Sequence, residues 1–154
     1  MSKQVTLGKT SRKQLVEGID ILANAVVSTL GPNGRNVVIA NPQGAPQSTK
    51  DGVTVAKSIN LSDPNQELGV QLVKQAAIKT ADKAGDGTTT STLLAREMIK
   101  AGLSALNNSE NAVQIKRDID KTVDKVISNL RKKISEEISS EEQLEQVATI
   151  SSNN

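Results

Sequence analysis

Midway along the chain the sequence runs Ala84-Gly85-Asp86-Gly87-Thr88-Thr89-Thr90-Ser91-Thr92, a succession of residue types suited to holding an anion. Two glycines admit backbone angles closed to other residues and leave room for a ligand against the main chain. Where a helix starts after such a turn, its first N–H groups lack partners and face phosphate oxygens readily. Asp86 adds a hard carboxylate oxygen of the kind magnesium selects. Three consecutive threonines begin a helix poorly on propensity alone, so a purely structural turn explains them badly. Phosphate with magnesium is the chemistry this stretch suggests.

Two further loops could join it. Thr29-Leu30-Gly31-Pro32 closes a helical pattern, and Thr49-Lys50-Asp51-Gly52 sets a cation and a carboxylate beside a glycine. Each has a plainer use when taken alone: Gly31-Pro32 as a helix stop, and Asp51-Gly52 as a solvated turn with an N-cap. Together the three loops hold what phosphoryl transfer needs, namely backbone donors, a metal-binding carboxylate and a carboxylate to orient water. No Walker-type loop is present, because the run from Gly44 to Lys50 has the wrong spacing and Asp51 follows the lysine. No dinucleotide fingerprint occurs either.

Composition removes most other chemistries. The 154 residues include no Cys and no His, which excludes thiol nucleophiles, disulfides, His-based triads and the common zinc sites. With 19 basic and 17 acidic residues the net charge is only +2, and no aromatic side chain is available to stack on bases. Nucleic acid is therefore not an expected partner. No apolar run reaches membrane-spanning length and the N-terminus lacks a signal-peptide core, so the reading is a soluble cytoplasmic protein without a membrane partner. A core built only from Leu, Ile, Val and Ala is thin, and neighbours are expected to help bury its apolar faces.

The elements that must position these loops are mostly helices. After an extended arm over residues 1–9, where the alternation of Val5 and Leu7 suits a short edge strand, Ser11 and Gln14 form a capping box before a stripe of Leu15, Ile19, Leu22 and Val26. Pro32-Asn33-Gly34 marks a turn, Val37-Val38-Ile39 a strand, and Gln47-Ser48-Thr49 its partner in a small hairpin. Asp51 can cap a short helix through Val53-Thr54-Val55-Ala56, although these residues equally suit a strand, and Asp63-Pro64 with Gln66 opens a longer helix whose stripe is Leu68, Leu72 or Val73, Ala76 or Ala77, and Thr80. Leu94, Met98 and Ala101 mark the helix after the glycine turn, which ends near Asn107-Asn108. Ile115, Ile119, Val123, Val126, Leu130 and Ile134 mark another from about Asn111, with Arg131-Lys132-Lys133 in its last turn. Its alternating Lys116, Asp118, Asp120, Lys121, Asp124 and Lys125 form a solvated face. Ser140 with Gln143 caps a final segment, and Val147–Ser151 reads as the start of a strand.

Thr29 to Val38, Gly44-Ala45-Pro46, Lys50-Asp51-Gly52-Val53 and Ala84 to Thr90 recur in the order found in one family. The chain resembles the N-terminal part of the group I chaperonin subunit, the GroEL type, from about residue 3 to residue 151. Arg35-Asn36 favours the bacterial and organellar group. The resemblance implies a mainly α fold: half of a multihelical equatorial, ATP-binding domain over residues 1–154, with a small β-hairpin and without the intermediate and apical domains. It implies that Thr29, Leu30, Gly31, Pro32 and Lys50 line a nucleotide pocket for ATP. Asp86, Gly87, Thr88, Thr89 and Thr90 then wrap the phosphates, with Asp86 holding Mg2+, and Asp51 positions the attacking water. The segment at Ile150-Ser151 is implied to lie near the nucleotide. The family function is ATP-driven protein folding by a chaperonin ATPase.

Partners implied are other chaperonin subunits in a ring homo-oligomer, and a co-chaperonin and unfolded protein bound through the domains not covered here. Asn33 stands where the family commonly has Lys, and Gln43 where it commonly has an aromatic. The resemblance places a second catalytic carboxylate and the base and ribose contacts outside these residues, so this chain alone is expected to hydrolyse ATP negligibly. A different class of reading is a non-catalytic helical interaction protein that associates with a chaperonin ring.

Overall fold

The computed structural model describes residues 5–42, 44–108 and 110–152. Among them the elements follow in the order α1 (Gly8–Val27), β1 (Val37–Ile39), β2 (Gln47–Thr49), α2 (Gly52–Ser58), α3 (Pro64–Ala84), α4 (Thr88–Asn107), α5 (Ala112–Asn129) and α6 (Glu141–Ser151). A π-helical turn at Leu130–Ile134 extends α5. The mainly α fold with a small hairpin is as expected. The chain divides into two units, Met1–Lys100 and Ala101–Asn154.

The core of the first unit is aliphatic. Ile19, Leu22 and Val26 of α1, Val55 and Ala56 of α2, and Val70, Val73 and Ala77 of α3 are buried together, with Ala95 and Ile99 of α4 packed against them. Two glycines make this packing possible. A Cβ on Gly18 would lie 1.9 Å from the carbonyl oxygen of Gln66, and one on Gly69 would lie 2.1 Å from that of Leu15. The backbones of α1 and α3 thus touch at points where no side chain fits. Beside the contact, the Asn65 amide donates to Gln14 Oε1 at 3.0 Å and the Gln66 amide to Glu17 Oε2 at 3.1 Å.

This close approach corrects several expectations. Gly69 must face α1, which turns Val70 inward with the expected Val73 and Ala77 and leaves Leu68 and Leu72 exposed. Helix α4 is likewise rotated from its expected face. Thr88 and Thr92 are buried and Leu94 and Met98 exposed, which the threonine tolerates because Thr92 Oγ1 donates to the Thr88 carbonyl at 2.8 Å. Helix α1 starts at Gly8 and not at a Ser11 cap, since Gln14 spends its side chain on Asn65. The box expected at Asp63 is half formed: Asp63 Oδ1 accepts from the Asn65 and Gln66 N–H groups, whereas the Gln66 side chain goes to Glu17. Val5–Leu7 forms no strand. Residues 1–4 of the expected arm, and Gln43, lie outside the described residues.

The hairpin pairs Val37 with Thr49, Val38 with Ser48 and Ile39 with Gln47, antiparallel. In the second unit Asn111 caps α5 through Val113 and Gln114, and Gly102 of α4 faces Ile115. Ser140 caps α6, which runs as a helix through Ser151 and replaces the strand expected at Val147–Ser151. No described residue of this unit is buried.

Replacing Gly18 or Gly69 by alanine raises helix propensity by about 1 kcal/mol but overpacks the α1–α3 contact at a cost of roughly 1–3 kcal/mol or more. Denaturant unfolding is therefore expected to show a net loss of stability in both variants, and a gain in either would contradict the backbone contact.

Candidate functional site

The first loop closes on itself after α1. Leu30 N–H donates to Val27 O at 3.0 Å, Gly34 N–H to Gly31 O at 2.9 Å and Arg35 N–H to Ser28 O at 2.9 Å. Gly31 takes φ +73°, in the left-handed region that glycine enters without strain, and so lets the chain reverse before Pro32. The Thr29 hydroxyl donates to Val26 O at 2.7 Å, which fixes its direction.

The second loop runs from β2 into α2. Asp51 N–H donates to Thr49 Oγ1 at 3.0 Å, and Asp51 Oδ2 accepts from the Thr54 N–H at 2.8 Å and from the Thr54 hydroxyl. One carboxylate oxygen thus caps α2, and Oδ1 is the one not engaged in the cap. Lys50 is exposed and makes no side-chain hydrogen bond or ion pair among the described residues. The far end of α2 is held from α3. Lys74, buried, donates to Ile59 O at 2.6 Å and Asn60 Oδ1 at 3.3 Å, and Glu67 Oε2 accepts from Leu61 N–H at 2.7 Å.

The third loop is the glycine turn. Gly85, at φ +73°, caps α3 by donating to Ala81 O at 2.9 Å, and Gly87 at φ +79° leads into α4. The first backbone bond of α4 is Ser91 N–H to Gly87 O at 2.9 Å, so the Thr88, Thr89 and Thr90 N–H groups precede it. Asp86 is exposed, with Oδ1 accepting from Gly87 N–H.

The three loops meet at one side chain. The Thr29 and Thr89 hydroxyls lie 3.4 Å apart, and a Cβ on Gly52 would fall 2.5 Å from Thr89 Oγ1. Two side chains of α4 tie it to α1: Arg96 donates to Asn24 Oδ1 at 2.8 Å and Lys100 pairs with Asp20 at 3.1 Å. No group of three or more acidic side chains gathers among the described residues. An exposed Asp86 beside free helix N–H groups fits a magnesium ion held through one carboxylate, phosphate oxygens and water, which is how that ion is commonly bound. Sequence reasoning placed Gly52 in the second loop but missed its closeness to Thr89, which depends on the fold. It also missed Lys74 and Glu67, two charged residues within a helical stripe.

Residues 22–154 match the sequence profile of the TCP-1/cpn60 chaperonin family. Among solved structures the chain is similar to the chaperonin gp146 from the bacteriophage EL 2 (Pseudomonas aeruginosa), crystallised in the presence of ATP-BeFx. The likeness has a TM-score of 0.70 and 30% sequence identity over 96% of this chain, which spans 28% of the length of that one.

The Glu67 part of the clamp on α2 is expected to weaken in acid. The Leu61 N–H, then the Gln71 amide and the charge of Lys74, hold the Glu67 carboxyl below its ordinary 4.5 against the opposing effect of burial. A lowered folded pKa means that the stabilisation is complete above pH 4.5 and fades as pH falls through the folded value. Glu67→Gln is expected to lower the thermal midpoint at pH 7, with the gap to wild type closing as pH drops below 4.5. A gap that stays constant from neutral to acid pH would exclude this role.

Proposed function

The chain belongs to the TCP-1/cpn60 chaperonin family, and we propose that its first unit forms one wall of a chaperonin ATP site. In this reading residues 1–154 are the N-terminal portion of an equatorial domain, acting in the cytoplasm within a subunit of a ring oligomer that folds other proteins. The meeting of three loops at Thr89 is the observation that carries it. Loop types that are unremarkable singly become a site when a donor-rich helix start, a capped carboxylate and a left-handed glycine turn share one hydroxyl.

Each residue then has a task that its geometry permits. The N–H groups and hydroxyls of Thr88, Thr89 and Thr90 face the phosphates, where the positive end of α4 favours the charge. Asp86 holds magnesium, which when bound neutralises phosphate charge. Thr29, Leu30, Gly31, Pro32 and Lys50 line the nucleotide. Asp51 Oδ1 orients the attacking water, while Oδ2 keeps the residue in place through its cap on α2. ATP hydrolysis at a chaperonin's rate, the ring contacts, and the co-chaperonin and unfolded-protein surfaces belong to a whole subunit, of which gp146 is more than three times the length matched here.

Asp86→Ala is expected to weaken magnesium-ATP binding at least about tenfold, or 1.4 kcal/mol, by calorimetry, while unchanged affinity would remove the metal role. For Asp51 the informative variant is asparagine, because Asn caps helices as well as Asp and so spares α2. In a full-length subunit carrying Asp51→Asn, turnover is expected to fall roughly 100-fold with affinity nearly unchanged. Equal losses in turnover and affinity would show that the residue does not act on water.

A further inference from the structure

We propose that Gly52 is a positioning residue of this site: its missing side chain is what lets the Thr89 hydroxyl stand beside Thr29. The inference rests on the nucleotide reading above and adds to it a residue that acts through Thr89.

Gly52 is the first residue of α2 and is buried. The glycines with positive φ are Gly8, Gly31, Gly85 and Gly87 among the described residues, and Gly52 is not one of them. Its backbone is therefore open to any residue, and alanine would suit a helix better by propensity. What a side chain would meet is Thr89. A Cβ would lie 2.5 Å from Thr89 Oγ1, against an ordinary 3.5 Å from the Thr89 N and from Val26 Cγ1. The obstacle is a single oxygen.

That oxygen has somewhere to go. Threonine in a helix divides between two χ1 rotamers, so a methyl at position 52 drives Oγ1 from its present place by turning Thr89 or by displacing the start of α2. The turned rotamer takes Oγ1 away from Thr29 Oγ1, now 3.4 Å distant, and away from the place where the first and third loops meet. Gly52 thus selects the rotamer that presents a hydroxyl beside the free N–H groups at the start of α4. The residue after the carboxylate Asp51 is in this way coupled to the phosphate-facing turn.

Two measurements on the wild-type chain, Gly52→Ala, Thr89→Ala and the double variant test this. In thermal unfolding without nucleotide, Gly52→Ala is expected to be more favourable in the Thr89→Ala background than beside Thr89, by about 2 °C or more in Tm. Equal changes in both backgrounds overturn the contact. With a fluorescent mant-ATP probe and magnesium, Gly52→Ala is expected to raise Kd roughly five- to tenfold, the scale of one hydrogen bond, and to add nothing once Thr89 is alanine. Wild-type affinity in Gly52→Ala overturns the inference and leaves the nucleotide site standing. Failure of the wild-type chain to bind mant-ATP overturns the nucleotide reading itself, and the inference with it.

Discussion

The backbone contact between α1 and α3 governs the first unit. Gly18 against Gln66 and Gly69 against Leu15 bring two helices closer than any side chain allows. A chain without Phe, Tyr or Trp has small side chains with which to fill its core, and close helix approach lets Ile19, Leu22, Val26, Val70, Val73 and Ala77 exclude water without them. Once α1 and α3 are fixed, their ends are fixed too. The loop after Val27 leaves one helix and the turn at Gly85 leaves the other, so two of the three loops are placed by the same contact.

The second loop, from β2 into α2, is placed by different means. Helix α2 has only seven residues and would not hold its position by itself. It is fixed at its start by the Asp51 cap and at its far end by Lys74 and Glu67, whose charges satisfy backbone groups between Ile59 and Leu61. Burial of Val55 and Ala56 completes the attachment. Charged side chains serve here as ties between backbone segments, which is why the Glu67 carboxyl is held ionised to lower pH than usual.

Local features of this fold were legible in the sequence, and features set by tertiary contact were not. The caps at Asp51, Asp63, Asn111 and Ser140 involve residues three apart or fewer, and the hairpin follows from a β-branched run beside two turns. Val73 and Ala77 of the inward face of α3 were legible as one reading of its stripe, but hydrophobic periodicity equally favours Leu68 and Leu72, and Leu94 and Met98 on α4, whereas the close approach of backbones requires Gly69 and a satisfied Thr92. The helix through Ser151 was hidden by Val147, Thr149 and Ile150, whose strand preference yields to the cap at Ser140 and the acidic first turn of Glu141 and Glu142. At the site, residue types suggested phosphate and magnesium from Asp86 to Thr90. Convergence of three loops on the Thr89 hydroxyl could not be read from types, since it depends on a distance between residues 29, 52 and 89.

The central claim is that these loops hold one nucleotide, and amide NMR of the isotope-labelled chain titrated with magnesium-ATP tests it most directly. The account predicts saturable shifts clustered at Thr29–Gly31, Lys50–Gly52 and Asp86–Thr90, moving together with one affinity and requiring magnesium. Shifts scattered over the exposed faces of α5 and α6, or no saturable shifts at the three loops, would contradict it.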